Sequence, residues 1–184
     1  GCPLSPFLFA ILMTILLHDA TAALAQQYGS IPLPFPCELL YADDTLICDV
    51  AADHAEQFMT CISMAGAQYG LAFNFEKLEV LTCRCEAEIL KADGPFVKQK
   101  DAITYLGALL TNDGRINSEL GRRIGAAQAD FKTLSKVWCH SNISRERKMQ
   151  IFNACVISKL MYCLHTAWLN TAERAKLYGF HCRC

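Results

Sequence analysis

The sequence predicts an α+β fold, in which an antiparallel sheet with packed helices is followed by an all-helical bundle. Short apolar runs bounded by turn residues occur between residues 37 and 110 and indicate strands. After residue 115, apolar residues recur at helical spacing, which indicates helices alone. Antiparallel strands with helices on one face are typical of α+β domains. We therefore expect two parts, residues 1–114 and residues 115–184.

Charge divides the chain at the same place. Residues 1–114 carry 5 Lys and Arg against 14 Asp and Glu, whereas residues 115–184 carry 12 against 4. An acidic part followed by a basic part suits a metal-binding region joined to a phosphate-binding region. Ordinary variation in charge between two subdomains would give the same pattern, so charge alone does not distinguish the two interpretations and the sequence motifs are needed.

The first predicted element is an apolar helix over residues 7–25. Ser5 is the expected N-cap and Pro6 the first helical residue. The uninterrupted apolar stretch, Phe7 to Met13 with Ile15 to Leu17, is shorter than the roughly 20 residues that cross a bilayer. We expect a buried helix packed on a sheet, and no membrane partner.

The cysteines indicate an intracellular protein. There are 11 of them, an odd number, and no secretory signal precedes them. They are expected to be reduced, partly buried thiols. Cys83 and Cys85 enclose a single residue, as do Cys182 and Cys184, whereas zinc sites usually use gaps of about two to four residues and a matching second pair. This spacing disfavours a zinc site.

Two adjacent carboxylates, Asp43 and Asp44, lie between the apolar runs Leu39-Leu40 and Leu46-Ile47-Cys48. The pattern predicts a hairpin with a tight acidic turn. Two negative charges this close resist joint ionisation unless a cation neutralises them. Mg²⁺ accepts one or two carboxylates and keeps its other positions for water and phosphate oxygens. The pair is therefore a candidate metal site, with a merely solvated turn as the alternative.

The remaining elements follow from hydrophobic spacing and turn residues. A helix is predicted over residues 51–69, with Gly70 as its C-terminal cap. The other predicted elements are strands at residues 71–74, 79–83 and 103–110, a turn at residues 112–114, and helices at residues 116–137, 144–168 and from 171.

Four sequence blocks, in a fixed order, now give the chain a family resemblance. Together they resemble the reverse transcriptases of non-LTR retrotransposons of the long-interspersed-element type. The second block matches the polymerase metal signature, and the fourth resembles the block at the primer grip. The blocks are Gly1-Cys2-Pro3-Leu4-Ser5-Pro6, Tyr41-Ala42-Asp43-Asp44, Gly70-Leu71-Ala72-Phe73-Asn74 with Lys77 and Glu79, and Tyr105-Leu106-Gly107.

The resemblance implies the later palm and the thumb of a right-hand polymerase, an RNA-directed DNA polymerase that uses two Mg²⁺ ions, or Mn²⁺ in their place. Asp43 would be the main metal ligand, and Asp44 a weaker ligand or a residue that shapes the turn. Lys77 would protonate or neutralise pyrophosphate, or lie in a solvated loop. The implied partners are an RNA template, a DNA primer and deoxynucleoside triphosphates.

The resemblance also implies a set of binding residues. For each group the residues also allow a structural role in place of binding. The structural role is a helix start for the first block, core packing for Tyr105 and Leu106, and a solvated helix face for the basic residues. The set comprises Gly1, Pro3, Ser5, Tyr41 and Ala42 at nucleotide and template, Tyr105, Leu106 and Gly107 at the primer, and Arg122, Arg123, Lys132 and Lys136 at duplex phosphates.

The family pattern extends beyond this chain. In such polymerases a further aspartate, on a strand before the first block, completes the metal site, and the fingers grip template and nucleotide. The chain begins at Gly1, so we expect these parts to belong to a missing N-terminal region of the same polypeptide. We expect the isolated chain not to polymerise. A nuclear location follows from how such elements insert.

Two other functions stay open at this point. A non-catalytic nucleic-acid-binding remnant of a mobile element would depend on the basic part and would tolerate loss of Asp43. A structural helical module would act through protein partners, using the apolar helix at residues 7–17. The ordered blocks favour the polymerase fragment over both.

Overall fold

The chain folds into two compact units, Gly1–Asp101 and Ala102–Cys184. The computed structural model describes residues 2–28, 37–91 and 94–184. The mixture of helices and short strands confirms the α+β composition. The division at residue 114, expected for palm and thumb, stays a prediction. The compact units divide earlier because the last hairpin bonds to the helix that follows it.

A pair of helices forms the core of the first unit. Helix α1 spans Ser5–Tyr28 and helix α2 spans Ala52–Gln68. Each contributes apolar residues three and four positions apart, so one stripe of each helix faces the other. Gly70 follows α2 with a φ of 72°, a left-handed conformation that glycine adopts readily, which confirms it as the helix stop. The core comprises Leu16, Leu17, Ala20, Leu24, Phe58, Cys61, Ile62 and Ala65.

Helix α1 differs from expectation in its N-terminal half. Phe7 is 68% exposed, and Leu8 and Ile11 are similarly exposed, so the prediction of a helix buried on a sheet is wrong there. The C-terminal half packs on α2 rather than on a sheet. The helix has 24 residues, so the argument from length against a bilayer span does not hold. By length and composition residues 5–27 could span a membrane, with 22% of the apolar window buried, but core helices meet the same criteria.

The predicted acidic hairpin is present. Strand β1 spans Cys37–Tyr41 and pairs antiparallel with β2, Asp44–Cys48. Tyr41 faces Asp44, and Cys37 faces Cys48, across a two-residue turn. Ile47 packs against the helical core, and this contact attaches the hairpin to the first unit.

The expectation of one antiparallel sheet is wrong for the described residues. Their strands form three separate pairs, and one pair is parallel: β3, Glu79–Val80, with β4, Lys98–Gln99. An ion pair between Glu79 and Lys100 lies beside it. Residues 71–74 form no strand, although Leu71 and Phe73 still pack on the core. Two-residue strands satisfy few backbone groups, so apolar burial holds this region in place.

The second unit begins with a hairpin and continues with helices. Strand β5, Ala102–Tyr105, pairs antiparallel with β6, Ala108–Thr111. A π-helical segment, Asn153–Ile157, joins α5 to α6. The helices are α3 at Asn117–Thr133, α4 at Ser135–Cys139, α5 at Arg145–Phe152, α6 at Ser158–Met161 and α7 at Thr171–Arg183, with a 3₁₀ turn at Leu164–Thr166.

Helix ends in the second unit follow their capping residues. Ser144 accepts a hydrogen bond from the Arg147 amide and starts α5 as predicted. Asn170 and Glu173 form a capping box at α7. The helix predicted to run to residue 168 instead ends at Met161, because Cys163 turns the chain with a φ of 64°. The core comprises Ala127, Phe152, Val156, Leu160 and Phe180, with Phe131 stacked on Trp138.

Substitution Phe58→Ala should destabilise the first unit by about 3–5 kcal/mol, because Phe58 is fully buried between α1 and α2. Met64→Ala, on the same helix but exposed, should change stability by less than about 0.5 kcal/mol. Urea unfolding followed by circular dichroism measures both. Fluorescence of Trp138 and Trp168, which lie in the second unit, is the internal control. Equal effects of the two variants would contradict the core assignment.

Candidate functional site

The tip of the first hairpin presents two carboxylates to solvent. Ala42 and Asp43 form the turn, and Asp44 is the first residue of β2. Ala42 has a φ of 54°, a left-handed conformation that costs a residue with a Cβ atom roughly 1–2 kcal/mol. Such strain persists where the surrounding structure fixes it, and it is concentrated at functional sites. The strain here lies next to the predicted metal ligand.

The hairpin tip fits a hydrated metal ion better than a closed metal cage. Asp43 and Asp44 are both exposed. In the part of the chain that the structure describes, no group of three or more His, Cys, Asp or Glu side chains could hold a metal ion. Mg²⁺ takes one or two carboxylates and completes its shell with water and phosphate oxygens. Two exposed carboxylates match that requirement for one ion.

The other predicted residues of the first unit lie on exposed backbone turns. Pro3 and Ser5 are exposed at the start of α1, where the Ser5 amide donates to the Cys2 carbonyl at 3.2 Å. Lys77 is exposed in a turn whose amide donates to the Asn74 carbonyl at 3.0 Å. Gly1 lies outside the described residues.

The second predicted site is the turn between β5 and β6. Leu106 and Gly107 have φ values of 47° and 78°, the paired positive values that favour glycine or asparagine in two-residue hairpins. Both turn carbonyls accept hydrogen bonds from side chains. The Tyr162 hydroxyl donates to Leu106 at 2.8 Å, and the Arg122 and Arg123 guanidinium groups each donate to Gly107 at 2.5 Å.

A buried carboxylate organises these arginines. Glu119 on α3 is 1% exposed. One of its oxygens lies 2.6 Å from Arg123 Nε, and the other lies 2.8 Å from Arg122 Nε. The Leu109 amide also donates to it, at 3.2 Å. Burial raises the pKa of Glu119, but the hydrogen bonds from Arg122 and Arg123, with the Leu109 amide, outweigh burial and lower it below its ordinary value.

The four basic residues predicted at duplex phosphates separate into two kinds. Arg123 is 8% exposed, with its guanidinium carbon 4.7 Å from the centre of the Tyr162 ring. The Arg122 side chain is 44% exposed. Lys132 and Lys136 are exposed. A buried, ion-paired guanidinium has a structural role, so the solvated-face alternative does not describe Arg123.

Glu119 and Tyr162 did not enter the predicted site. Glu119 precedes Arg122 and Arg123 by three and four residues, the spacing at which side chains meet on a helix. That spacing was visible in the sequence. The position of Tyr162 was not, because 56 residues separate it from Leu106.

Comparison with known proteins gives one family. The family model described as reverse transcriptase (RNA-dependent DNA polymerase) matches residues 1–110. No curated protein and no solved structure matches significantly. The matched region contains the first hairpin with its exposed Asp43–Asp44 pair, and the second hairpin up to residue 110, including the Leu106–Gly107 turn.

Stability of the second unit should fall as pH drops below about 4.5, the ordinary pKa of a glutamate. The folded-state pKa of Glu119 is lower than the unfolded one. Its stabilising contribution is therefore complete above the unfolded value and is lost as pH falls through the folded value. Urea titrations followed by Trp138 fluorescence at several pH values measure this slope.

Substitution Glu119→Gln should flatten the acid slope, because it removes the titrating group. Asp113 is the matched control: the Thr111 hydroxyl and the Arg115 amide also lower its pKa, but it lies on an exposed turn. Asp113→Asn should keep the part of the slope due to Glu119. An unchanged slope in Glu119→Gln would contradict the prediction.

Proposed function

Because the chain belongs to the reverse transcriptase (RNA-dependent DNA polymerase) family, we propose that it is the later palm and thumb of a non-LTR retrotransposon polymerase. The observation that carries the proposal is the exposed Asp43–Asp44 pair at the tip of a two-residue hairpin. The order of the four sequence blocks supports the retrotransposon type. Because retrotransposons of this kind insert into chromosomal DNA, the protein would act in the nucleus.

In this proposal, Asp43 is the main ligand of the metal ion. Its place in the turn, next to the strained Ala42, leaves its carboxylate open to solvent. Asp44 begins β2 and pairs with Tyr41, so it either adds a weaker ligand or fixes the turn. The chemistry supplied by bound Mg²⁺ would be activation of the primer 3′-hydroxyl and neutralisation of charge on the leaving pyrophosphate.

Exposed residues of the first unit would contact the nucleotide. Lys77 carries a positive charge on an exposed turn and would neutralise pyrophosphate. Pro3 and Ser5, exposed at the start of α1, would lie near the incoming nucleotide and the template base, together with Tyr41 and Ala42 of the hairpin.

Catalysis requires more than the hairpin supplies. Two metal ions need more carboxylate ligands than one adjacent pair, and the described residues group no third candidate with it. We expect no primer extension from these 184 residues alone. Mg²⁺-dependent synthesis that Asp43→Ala abolishes would overturn this part of the proposal.

The second unit would bind the primer–template duplex. Its chemistry is basic, and Lys132 and Lys136 are exposed on and after α3. The half-exposed Arg122 adds a third cation beside the Leu106–Gly107 turn. We assign phosphate contacts to these three residues and give Arg123 a supporting role.

Mn²⁺, a paramagnetic substitute for Mg²⁺, should bind the chain at the hairpin tip. Asp43→Asn should weaken binding by at least roughly tenfold, a loss that removing even an outer-shell group can cause. Asp53→Asn is the matched control, since Asp53 is an exposed aspartate in the first turn of α2. Water-proton relaxation measures both. Equal Mn²⁺ affinities for the two variants would exclude Asp43 as a ligand.

An RNA–DNA hybrid should bind the chain with an affinity that falls steeply with salt. Lys132→Gln with Lys136→Gln should reduce the slope of log affinity against log salt by about 1 for each lost phosphate contact. Lys98→Gln, on β4 of the acidic unit, should leave the slope unchanged. Fluorescence anisotropy with a labelled primer strand measures the slopes. If the salt slope is the same in all variants, Lys132 and Lys136 do not contact the phosphates of the duplex.

The basic second unit also supports a second candidate, a non-catalytic nucleic-acid-binding remnant of a mobile element. Both candidates predict salt-dependent hybrid binding. They differ at Asp43. A remnant would bind the hybrid, but Asp43→Asn would not change its affinity for Mn²⁺.

A further inference from the structure

The Leu106–Gly107 turn is held by three side chains of the second unit, two from α3 and one from Tyr162, the residue that follows α6. A two-residue hairpin turn normally leaves its carbonyl oxygens to water, and both turn residues are exposed. Here the Leu106 carbonyl oxygen accepts a hydrogen bond from the Tyr162 hydroxyl, and the Gly107 carbonyl oxygen accepts hydrogen bonds from Arg122 and Arg123. The residues come from α3 and from the end of α6, so distant parts of the unit converge on one turn.

Tyr162 makes three different contacts in this arrangement. Its hydroxyl bonds to Leu106, its ring face lies 4.7 Å from the Arg123 guanidinium carbon, and its ring edge covers Gly107. A Cβ atom on Gly107 would lie 3.4 Å from the ring. The ring therefore orders the arginine and the glycine together.

This arrangement is a costly way to stabilise a fold. Glu119 and Arg123 are both buried, and removing two charges from water costs free energy that their attraction repays only with good geometry and further hydrogen bonds. Apolar side chains of similar volume would often stabilise a core equally well. A buried ion pair can instead fix one conformation, and here the hydrogen bonds of the network reach the exposed Leu106–Gly107 turn.

The cluster also leaves a positive charge beside the turn. Glu119 neutralises one of two arginines, and the exposed fraction of Arg122 carries the excess. A phosphate of a primer strand bound at this turn would meet both the turn and this charge.

We propose that Glu119, Arg123 and Tyr162 are positioning residues that hold the Leu106–Gly107 turn in the conformation that receives the primer backbone. The proposal rests on the proposed function, since it needs a primer to bind at this turn. None of the three residues touches the primer. Each acts through the turn carbonyls or through Arg122.

The test uses Tyr162→Phe in the 184-residue chain, because this variant removes the hydroxyl and keeps the ring contacts with Arg123 and Gly107. Tyr178→Phe is the matched control: Tyr178 lies in α7 of the same unit, and its side chain is exposed. Three quantities are measured at a temperature where all chains are folded. They are the affinity for a labelled DNA primer on an RNA template, its salt slope, and amide exchange at residues 106–109.

Tyr162→Phe should bind the hybrid about 2- to 10-fold more weakly, the range for loss of one hydrogen bond. Its salt slope should equal that of the wild type, because no phosphate contact is lost. Amide exchange at the turn should accelerate, and Tyr178→Phe should match the wild type throughout. A merely structural tyrosine would lower the thermal midpoint without changing affinity in the folded chain.

Two other results would overturn the proposal in distinguishable ways. If the wild-type chain binds the hybrid and Tyr162→Phe binds it with the same affinity, the positioning role is refuted and the proposed function is left intact. Absence of hybrid binding by the wild type would refute the duplex-binding function, and the positioning role with it, whatever the amide exchange shows.

Discussion

The second unit depends on keeping one carboxylate charged inside it. Glu119 is almost fully buried, and four hydrogen bonds, two from Arg122 and one each from Arg123 and the Leu109 amide, make its ionised form the favoured one. Because those donors belong to a strand and a helix, the ion cluster joins the β5–β6 hairpin to α3. This is why the compact unit begins at residue 102 and not after the hairpin.

The first unit depends on a different constraint, the two-residue turn of its acidic hairpin. A turn this short fixes the register, so Tyr41 must face Asp44 and the strained Ala42 must accept a positive φ. Side-chain period then places Ile47 toward the helical core. In this register Asp43 in the turn and Asp44 at the start of β2 are both exposed.

Local patterns predicted local structure well. The acidic hairpin, the Gly70 stop and the Ser144 cap each depend on a few adjacent residues, and each is present. Some errors are local, since residues 71–74 form no strand and the helix expected to run to residue 168 ends at Met161. Another concerns a distant partner, since α1 was expected to pack on a sheet but packs on α2. Likewise the bond between Tyr162 and Leu106 has no local signature, so the polar cluster at the second turn could be predicted only in part, from the spacing of Glu119 and the arginines.

The ion cluster also changes how the basic charge of the second unit should be counted. A tally of Lys and Arg treats four residues of the α3 region as equal candidates for phosphate, yet a guanidinium that is buried and bonded to Glu119 and Gly107 is poorly accessible to a ligand. Arg123 is in this position, and Arg122 partly so. Burial and pairing therefore leave the exposed Lys132 and Lys136 as the main source of duplex attraction, and they give the arginines a share in affinity that operates through the shape of the turn.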